Sequence, residues 1–339
     1  MKTADQPFYL TQNKGFAKPT PEDDLLHPEK NRQVRDNSLT ETQYFGFSVP
    51  EEQIQGVSYL WHHPNLGLVT GGLYVWQGDK HTAAAAELCG YTDFMSDAAL
   101  KNDLHNYRFE NGYGVEILEP LKRLHMTYSD PVRKNSVDLV FDAIAPPAMF
   151  GDGNHFEQPM KVSGELVLRG KRYEVDCHCI RDRSWAKPRR EDNMPLPPVS
   201  WMTGVFNKDF AFCCNVFDQA SQNTELAGTV FAMPEEKTLA AGWVFRNGRI
   251  SEVVSAKKRI VREPGTLLAK IVDLEVTDEQ GQTIIIHGKR LHTSFPWHIW
   301  PTLNVVVCAM QWECEGMTTY GENQEGHFSD YVSHFSRAA

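Results

Sequence analysis

The chain of 339 residues carries 34 basic and 44 acidic side chains, a formal net charge of −10, and this acidic balance argues against a nucleic-acid-binding protein, which needs a basic face. No apolar stretch follows Met1, and no run approaches the ~18 apolar residues that would span a bilayer. Because the seven cysteines are odd in number and lack the spacing of a disulfide framework, we expect a cytoplasmic protein with neither a secretory signal nor a membrane span.

The first half of the chain predicts an antiparallel β-structure that follows a polar N-terminal arm, residues 1–40. Apolar, strand-like segments recur between turn signals at 44–49, 56–61, 66–76, 81–88, 107–118, 121–128 and 136–144. The segment 81–88 contains four alanines, but its flanking turn favours a strand. Residues 93–106 are the best helical candidate, since Phe94, Ala98, Leu100 and Leu104 lie near one face of a helix.

A hairpin at the centre of the chain leads into an unusual charged segment. Residues 162–168 and 173–179 alternate in polarity around a turn that contains Gly170. Arg181-Asp182-Arg183-Ser184-Trp185 then places three charges and an indole after the strand, where we expect the chain to leave the sheet. Opposed charges beside a tryptophan can hold a carboxylate at a shifted pKa. The alternative interpretation is a surface loop with solvated ion pairs.

The second half predicts a further β-domain. Three prolines among residues 195–198 cannot join a sheet ladder and indicate a linker, so we divide the chain into domains at 41–194 and 199–337. Strands are predicted at 200–206, 210–217, 229–233, 241–245, 250–256, 267–276, 283–291, 305–314 and 317–320, with an Asn247-Gly248 hairpin turn. Strands recurring every ~8–12 residues with almost no helix indicate an all-β protein of sandwiches or barrels.

The central segment also resembles a known family. Gly164, Gly170, Tyr173, Asp182 and Trp185, together with Glu157-Gln158, Ser184 and Arg189, resemble the signature of the AttH-type, hydroxyneurosporene-synthase-like proteins. These are related to carotenoid 1,2-hydratases and, more distantly, to lipocalin-like fungal Diels–Alderases. The resemblance implies two tandem lipocalin-like (calycin-type) domains and chemistry on a hydrophobic molecule. The hydratases carry Tyr-x-Asp-x-x-Trp, of which residues 180–185 keep the Asp and Trp and lack the Tyr.

Candidate site residues follow from this resemblance and from the aromatic and histidine clusters. The expected catalytic residues are Asp182, the upstream His155, and Glu322 in a Tyr-Gly-x-x-Glu-like element near the C-terminus. The expected substrate-binding residues are Trp61, His178, Arg183, Trp185, Arg189, Trp201, Trp297 and Tyr320. Trp61 and Trp297 stand in clusters that fit either the wall of a cavity mouth or core aromatics capped by histidine.

The motifs for cofactor chemistry are missing from the sequence. No glycine-rich phosphate loop joins a strand to a helix, and no Gly-x-Ser-x-Gly nucleophile elbow occurs. Cys177-His178-Cys179 is too closely spaced for a typical zinc site and has no second ligand pair. We therefore expect neither a metal nor another cofactor, and interpret the cysteines as small buried hydrophobes.

Two hypotheses remain from the sequence. The first is a cofactor-independent lyase or isomerase, of hydratase, dehydratase or cyclase type, for a terpenoid-, steroid- or polyketide-like molecule in an apolar pocket of a few hundred cubic ångströms. The second is a lipocalin-type carrier of such a molecule, and a homodimer is one option for either. Asp182 is expected to be an acid if burial dominates its pKa and a base if an arginine contacts it.

Overall fold

The computed structural model describes residues 15–27, 36–100, 103–150, 153–188, 195–300 and 302–338. The strands before the proline segment form one large antiparallel sheet. They are β1 (Phe16–Ala17), β2 (Leu39–Val49), β3 (Ile54–His63), β4 (Leu68–Gln77), β5 (Leu88–Ser96), β6 (Asn106–Arg108), β7 (Gly114–Glu119), β8 (Arg123–Asp130), β9 (Asn135–Ala143), β10 (Ala148–Phe150), β11 (His155–Leu168) and β12 (Lys171–Pro188). The main order is β5-β4-β3-β2-β12-β11-β9-β8-β7-β6, with β10 joining β1 to β11.

The strands after the proline segment form a second antiparallel sheet that closes on itself. They are β13 (Val199–Asn207), β14 (Phe210–Phe217), β15 (Leu239–Arg246), β16 (Arg249–Arg262), β17 (Ala269–Asp278), β18 (Thr283–Thr293), β19 (Trp297–Trp300), β20 (Leu303–Cys314) and β21 (Met317–Phe328), followed by helix α1 (Ser329–Ala338). Pairing of β18 with β20 completes a barrel of eight strands, and β19 lies outside it on β20.

Three apolar regions hold these sheets together. The curled first sheet encloses one core, which includes Phe45, Leu73 and Phe141, and the barrel encloses another, which includes Phe212 and Trp312. Apolar side chains from the opposite faces of both sheets pack against each other in the third region. This two-faced burial follows from the alternation of side chains along each strand, and it confirms the predicted all-β class of two lipocalin-like units.

Most of the predicted strands are present, and the hairpin turn at Asn247-Gly248 is confirmed by positive φ angles of 48° and 82°, as a type I′ turn requires. Residues 195–198, which are three prolines and one leucine, lie between β12 and β13, outside both sheets. The domain limits 41–194 and 199–337 stay predictions. Among the described residues, no helix has the length and apolarity needed to cross a membrane.

Four local predictions were wrong. The described part of residues 93–106 (93–100 and 103–106) does not form the predicted helix, because β5 continues to Ser96 in pairing with β4 and a short 3-10 turn, Asp97–Leu100, follows. The alanines at 83–85 form a 3-10 turn instead of a strand, and residues 229–233 form turns. The charged segment 181–185 does not leave the sheet. It continues β12, paired on both sides.

Candidate functional site

The charged segment of β12 presents two chemically different faces. Asp182 pairs with Glu157 of β11 on one side and with Tyr44 of β2 on the other. Because successive side chains of a strand point to opposite faces, Arg181 and Arg183 lie on the face of the first sheet's own core. Asp182 lies with Ile180 on the face toward the barrel. We call this second face, formed by His178, Ile180 and Asp182 of β12 with His155 and Glu157 of β11 and Tyr44 of β2, the inter-sheet face.

On the core face, Arg181 holds the N-terminal segment of the chain against the sheet. Its guanidinium donates to both carboxylate oxygens of Asp24, at 2.6 and 3.1 Å, and to the Gln158 side chain at 2.7 and 2.9 Å. Arg181 and Asp24 are both fully buried. Part of the segment predicted as a polar arm is therefore an integral part of the first sheet.

Arg183 makes a second buried ion pair on the core face. It donates to Glu41 at 2.7 Å and to the carbonyl oxygen of Leu25 at 2.6 Å. Burial opposes ionisation of Glu41, but the Arg183 guanidinium and His27 outweigh it and lower the pKa of Glu41 to about 2. Arg183 was predicted to bind substrate, and the structure places it in this ion pair, away from the inter-sheet face.

Trp185 also lies away from the inter-sheet face. Its indole is fully buried and stacks on His27, with ring centroids 4.2 Å apart and planes 7° from parallel. Phe156 contacts it at 6.3 Å between centroids, close to edge-on. Trp185 was predicted to bind substrate, and the structure instead places it where it anchors the N-terminal segment through His27. Arg189 lies outside the described residues.

On the inter-sheet face, a carboxylate, a histidine and two tryptophans meet beside Asp182. Trp243 of the barrel donates its indole N–H to Glu157 Oε2 at 2.8 Å, and His155 Nε2 lies 3.4 Å from Glu157 Oε1. Trp201 contacts the His155 ring edge-on, with centroids 5.6 Å apart. Asp182 is the direct cross-strand neighbour of Glu157, so the side chains at these two positions are close enough to interact.

Glu322 reaches this face from the barrel. Its strand, β21, extends to Phe328, well past the predicted end at residue 320. Glu322 Oε2 accepts hydrogen bonds from the Tyr44 hydroxyl at 2.6 Å and from Gln324 at 3.0 Å, and Oε1 accepts from Gln55 at 2.5 Å. Burial raises the pKa of Glu322, and these three donors oppose the rise without cancelling it. The fold therefore favours the protonated carboxylic acid.

The position of Glu322 depends on a glycine in the first sheet. The ladder pairing of β2 with β12 ends at Tyr44 and Asp182, and Gly46 lies just beyond that end. A Cβ atom at Gly46 would overlap Glu322 Oε1. The glycine lets the carboxyl group approach the backbone of β2.

A small pocket lies beside this carboxyl group, between residues of the two sheets. Its volume is about 10 Å³, and Gln55, His178, Tyr320 and Glu322 are among the residues that line it. Burial lowers the pKa of His178, and the neighbouring Lys161 lowers it further. Three predicted site residues, His178, Tyr320 and Glu322, thus meet in one pocket. The apolar pocket of a few hundred cubic ångströms stays a prediction at the inter-sheet face.

Aromatic side chains cover the neighbouring part of the interface. Trp297 contacts Tyr59, Tyr74 and Tyr91 edge-on, with centroids 5.9 to 6.1 Å apart. Trp61 lies on the same side of β3 as Tyr59 and contacts the His63 ring at 4.3 Å. The indole N–H groups of Trp61 and Trp297 are buried and find no hydrogen-bond partner among the described residues.

The structure brings together seven of the predicted site residues at the contact between the sheets, namely Asp182, His155, Glu322, His178, Trp201, Trp297 and Tyr320, with Trp61 beside them. Sequence reasoning missed Tyr44, Gln55 and Gln324, and treated Glu157 only as a matching motif residue. Among the described residues, no group of three or more His, Cys, Asp or Glu side chains could hold a metal ion.

A family model described as a domain of unknown function (DUF7064) matches residues 20–325, and a search of curated proteins found no match. A putative AttH from Nitrosomonas europaea is similar over 92% of this chain and 96% of its own, at 10% identity and a TM-score of 0.55. CghA is similar over 94% and 96%, at 10% identity and 0.50. Kievitone hydratase from Nectria haematococca is similar over 95% and 98%, at 9% identity and 0.49. The likenesses to the putative AttH and to CghA confirm the AttH-type, tandem lipocalin-like fold that the central motif predicted.

Proposed function

The chain belongs to the DUF7064 family, and we propose that it is a cofactor-independent lyase or isomerase acting on a hydrophobic small molecule at the inter-sheet face. The observation that carries this proposal is the buried, hydrogen-bonded carboxyl group of Glu322, whose pKa is raised by burial. A carboxylic acid whose pKa is raised by burial can protonate an alkene or a hydroxyl leaving group. Its neighbours Tyr44 and Asp182 belong to the other sheet, so the site exists only where the two sheets meet.

The surroundings suit a reaction that passes through positive charge. Aromatic faces stabilise a developing carbocation, and Tyr59, Trp61 and Trp297 supply such faces in the apolar region that also includes Tyr44. The unpartnered indole N–H groups of Trp61 and Trp297 can donate to a hydroxyl or carbonyl group of a substrate. These features support terpenoid-, steroid- or polyketide-like substrates, which combine an apolar skeleton with few oxygens.

Asp182 is proposed as the second acid–base group. Arg181 and Arg183 make their ion pairs with Asp24 and Glu41 on the opposite face of the strand, so the arginines on either side of Asp182 in sequence do not supply its counter-charge. His155 and Glu157 next to it form a pair that can take up or return a proton.

The test measures conversion and binding separately. Linalool, farnesol and progesterone are offered in D₂O, and mass spectrometry follows water addition, water loss and deuterium incorporation, while tryptophan fluorescence reports binding. General acid–base groups contribute ~10²–10⁴-fold, so Asp182→Asn and Glu322→Gln should each lower kcat by about that factor and keep binding. Asp142→Asn, on β9 in an exposed pair with Arg123, is the matched control and should keep full turnover.

A carrier without catalysis is the second candidate, because a larger cavity lies away from the inter-sheet face. It has a volume of about 350 Å³, lies beside α1, and is lined in part by Leu226, Phe231 and Tyr331. The carrier function predicts that ligand binding survives Asp182→Asn and is lost in Leu226→Trp. It also predicts that the wild type incorporates no deuterium into the ligand. These results together would support the carrier function and overturn the proposed enzyme function.

A further inference from the structure

Glu322 needs a way to regain its proton if it donates one in each turnover. Its side chain is only 6% exposed, and its carboxyl group is surrounded by Tyr44, Gln55 and Gln324. None of these three is an ordinary proton donor to a carboxylate near neutral pH, since two are amides and burial raises the pKa of Tyr44. The proton must therefore come from another side.

The small pocket beside Glu322 offers another route by which a proton can reach the carboxyl group. Its volume of about 10 Å³ is close to the space that one water molecule needs. A buried water also needs two to four polar partners, and Gln55, Thr203, His178 and Glu322 are among the residues that line the pocket. Tyr320, which is 42% exposed, stands at the same pocket and connects it to solvent.

His178 is the titratable group on the solvent side of this pocket. It lies four residues before Asp182 on the inter-sheet face and is partly exposed, whereas Glu322 is buried. Its lowered pKa means that an imidazole protonated from solvent passes its proton on readily. A single water between the two side chains can then carry a proton to the Glu322 carboxylate.

We propose that His178, acting through one water in this pocket, renews the proton on Glu322. After Glu322 gives its proton away, the pocket water protonates the carboxylate and takes a proton from the His178 imidazolium, and His178 takes the next one from bulk water. The role in turnover rests on the proposed function, but the proton path itself does not. His178 acts through Glu322 and does not touch the substrate.

Several charged or titratable groups surround this path. Tyr44 faces Glu322 from β2 and Cys179 faces it from β12, Asp182 lies near Tyr44, and Tyr320 of β21 lines the same pocket. His178 is faced by Lys161 of β11 and by Asp176 of its own strand. Burial raises the pKa of the Cys179 thiol well above its ordinary value, so His178 is the group in this set best suited to exchange protons with solvent near neutral pH.

The experiment measures proton exchange at Glu322 without any substrate. Rapid-mixing infrared spectroscopy follows the C=O stretch of the protonated carboxyl group as the protein passes from H₂O into D₂O, and Glu322→Gln identifies the band by its loss. His178→Gln should keep the band and slow its shift tenfold or more. His125→Gln, at an exposed histidine on β8 paired with Asp138, is the matched control and should exchange like the wild type.

A second variant separates the relay from a structural effect. His178→Ala leaves room for free imidazole, which should restore exchange toward the wild-type rate if the imidazole group carries the proton. Wild-type exchange in His178→Gln, no rescue by imidazole, or no band that disappears in Glu322→Gln would each overturn the path. If exchange depends on His178 while no substrate is converted, the path stands and the proposed function fails. If substrate conversion depends on Glu322 while proton exchange does not depend on His178, the proposed function stands and the proton path fails.

Discussion

The protonation of Glu322 makes a specific prediction about stability and pH. Glu322→Gln removes a titratable group but keeps a side-chain oxygen that can accept from Tyr44. The ordinary pKa of this carboxyl is 4.5, and burial raises it in the folded protein. Below pH 4.5 the carboxyl is protonated in both states, so ionisation of Glu322 costs no stability there.

The sign of the effect follows from proton counting. As pH rises above the ordinary pKa, the unfolded chain releases its Glu322 proton before the folded protein does. The unfolded state then binds fewer protons, and the free energy of unfolding falls by up to about 1.4 kcal/mol per pH unit. The decline ends once pH passes the raised pKa and the folded carboxyl ionises as well. Glu322→Gln lacks this decline, so it should gain stability relative to the wild type as pH rises.

Urea unfolding at a series of pH values, followed by tryptophan fluorescence and by circular dichroism, measures this difference. Both signals must give one transition for a single free energy to be defined. Glu313→Gln, which changes an exposed carboxylate on β20, is the matched control and should show no such pH-dependent difference. A Glu322→Gln difference that is flat, or that favours the wild type increasingly at higher pH, would refute the protonated carboxyl and with it the acid role.

Three further predictions concern the same network and the core face of β12. Gly46→Ala should push the Glu322 carboxyl group out of its hydrogen bonds, with a loss of activity and of about 1–3 kcal/mol in urea unfolding; unchanged unfolding and activity would contradict the close approach. Arg181→Met should cost about 3–5 kcal/mol because it leaves Asp24 buried without its partner, whereas adding Asp24→Leu should restore much of that loss; equal losses in the single and double variants would argue against the ion pair. The ordinary pKa of Glu41 is 4.5, and the folded protein lowers it to about 2. Ionised Glu41 should therefore add up to about 3 kcal/mol to the free energy of unfolding above pH 4.5, and this contribution should be lost as pH falls toward 2. Unfolding curves of Glu41→Gln should lack this loss of stability at acid pH.

The strand pattern was predictable because it depends on neighbours in sequence. Alternating polarity and turn residues located β2, β3, β9 and most strands of the barrel to within a few residues. Residues 93–106 failed because pairing of β5 with β4 overrode a local helical spacing. A weak helical periodicity between clearly predicted strands is therefore a poor predictor of a helix, since pairing with an adjacent strand can hold the same residues in a sheet.

The site was only partly predictable because its hydrogen bonds join distant parts of the chain. Tyr44 and Gln55 lie 278 and 267 residues from Glu322, and nothing in their own strands distinguishes them from other polar positions. The motif resemblance did single out Asp182, His155 and Glu322, which the structure places at the contact between the sheets. It could not reveal that Tyr44 and Gln55 hold the carboxyl group.

The charged segment of β12 explains why the prediction of a loop failed and why the motif has its composition. Two arginines inside a buried strand are costly unless each meets a carboxylate, and those carboxylates, Asp24 and Glu41, come from 157 and 142 residues away. The arginines therefore secure the N-terminal segment and the sheet, while Asp182 between them is presented to the barrel. A loop could carry the same charges, but only a paired strand separates them onto opposite faces. Alternate residues of the motif therefore have different roles, with Arg181 and Arg183 in structural ion pairs and Asp182 on the face where chemistry is proposed. Substitutions at Arg181 and Arg183 should act on folding, and substitutions at Asp182 should act on chemistry.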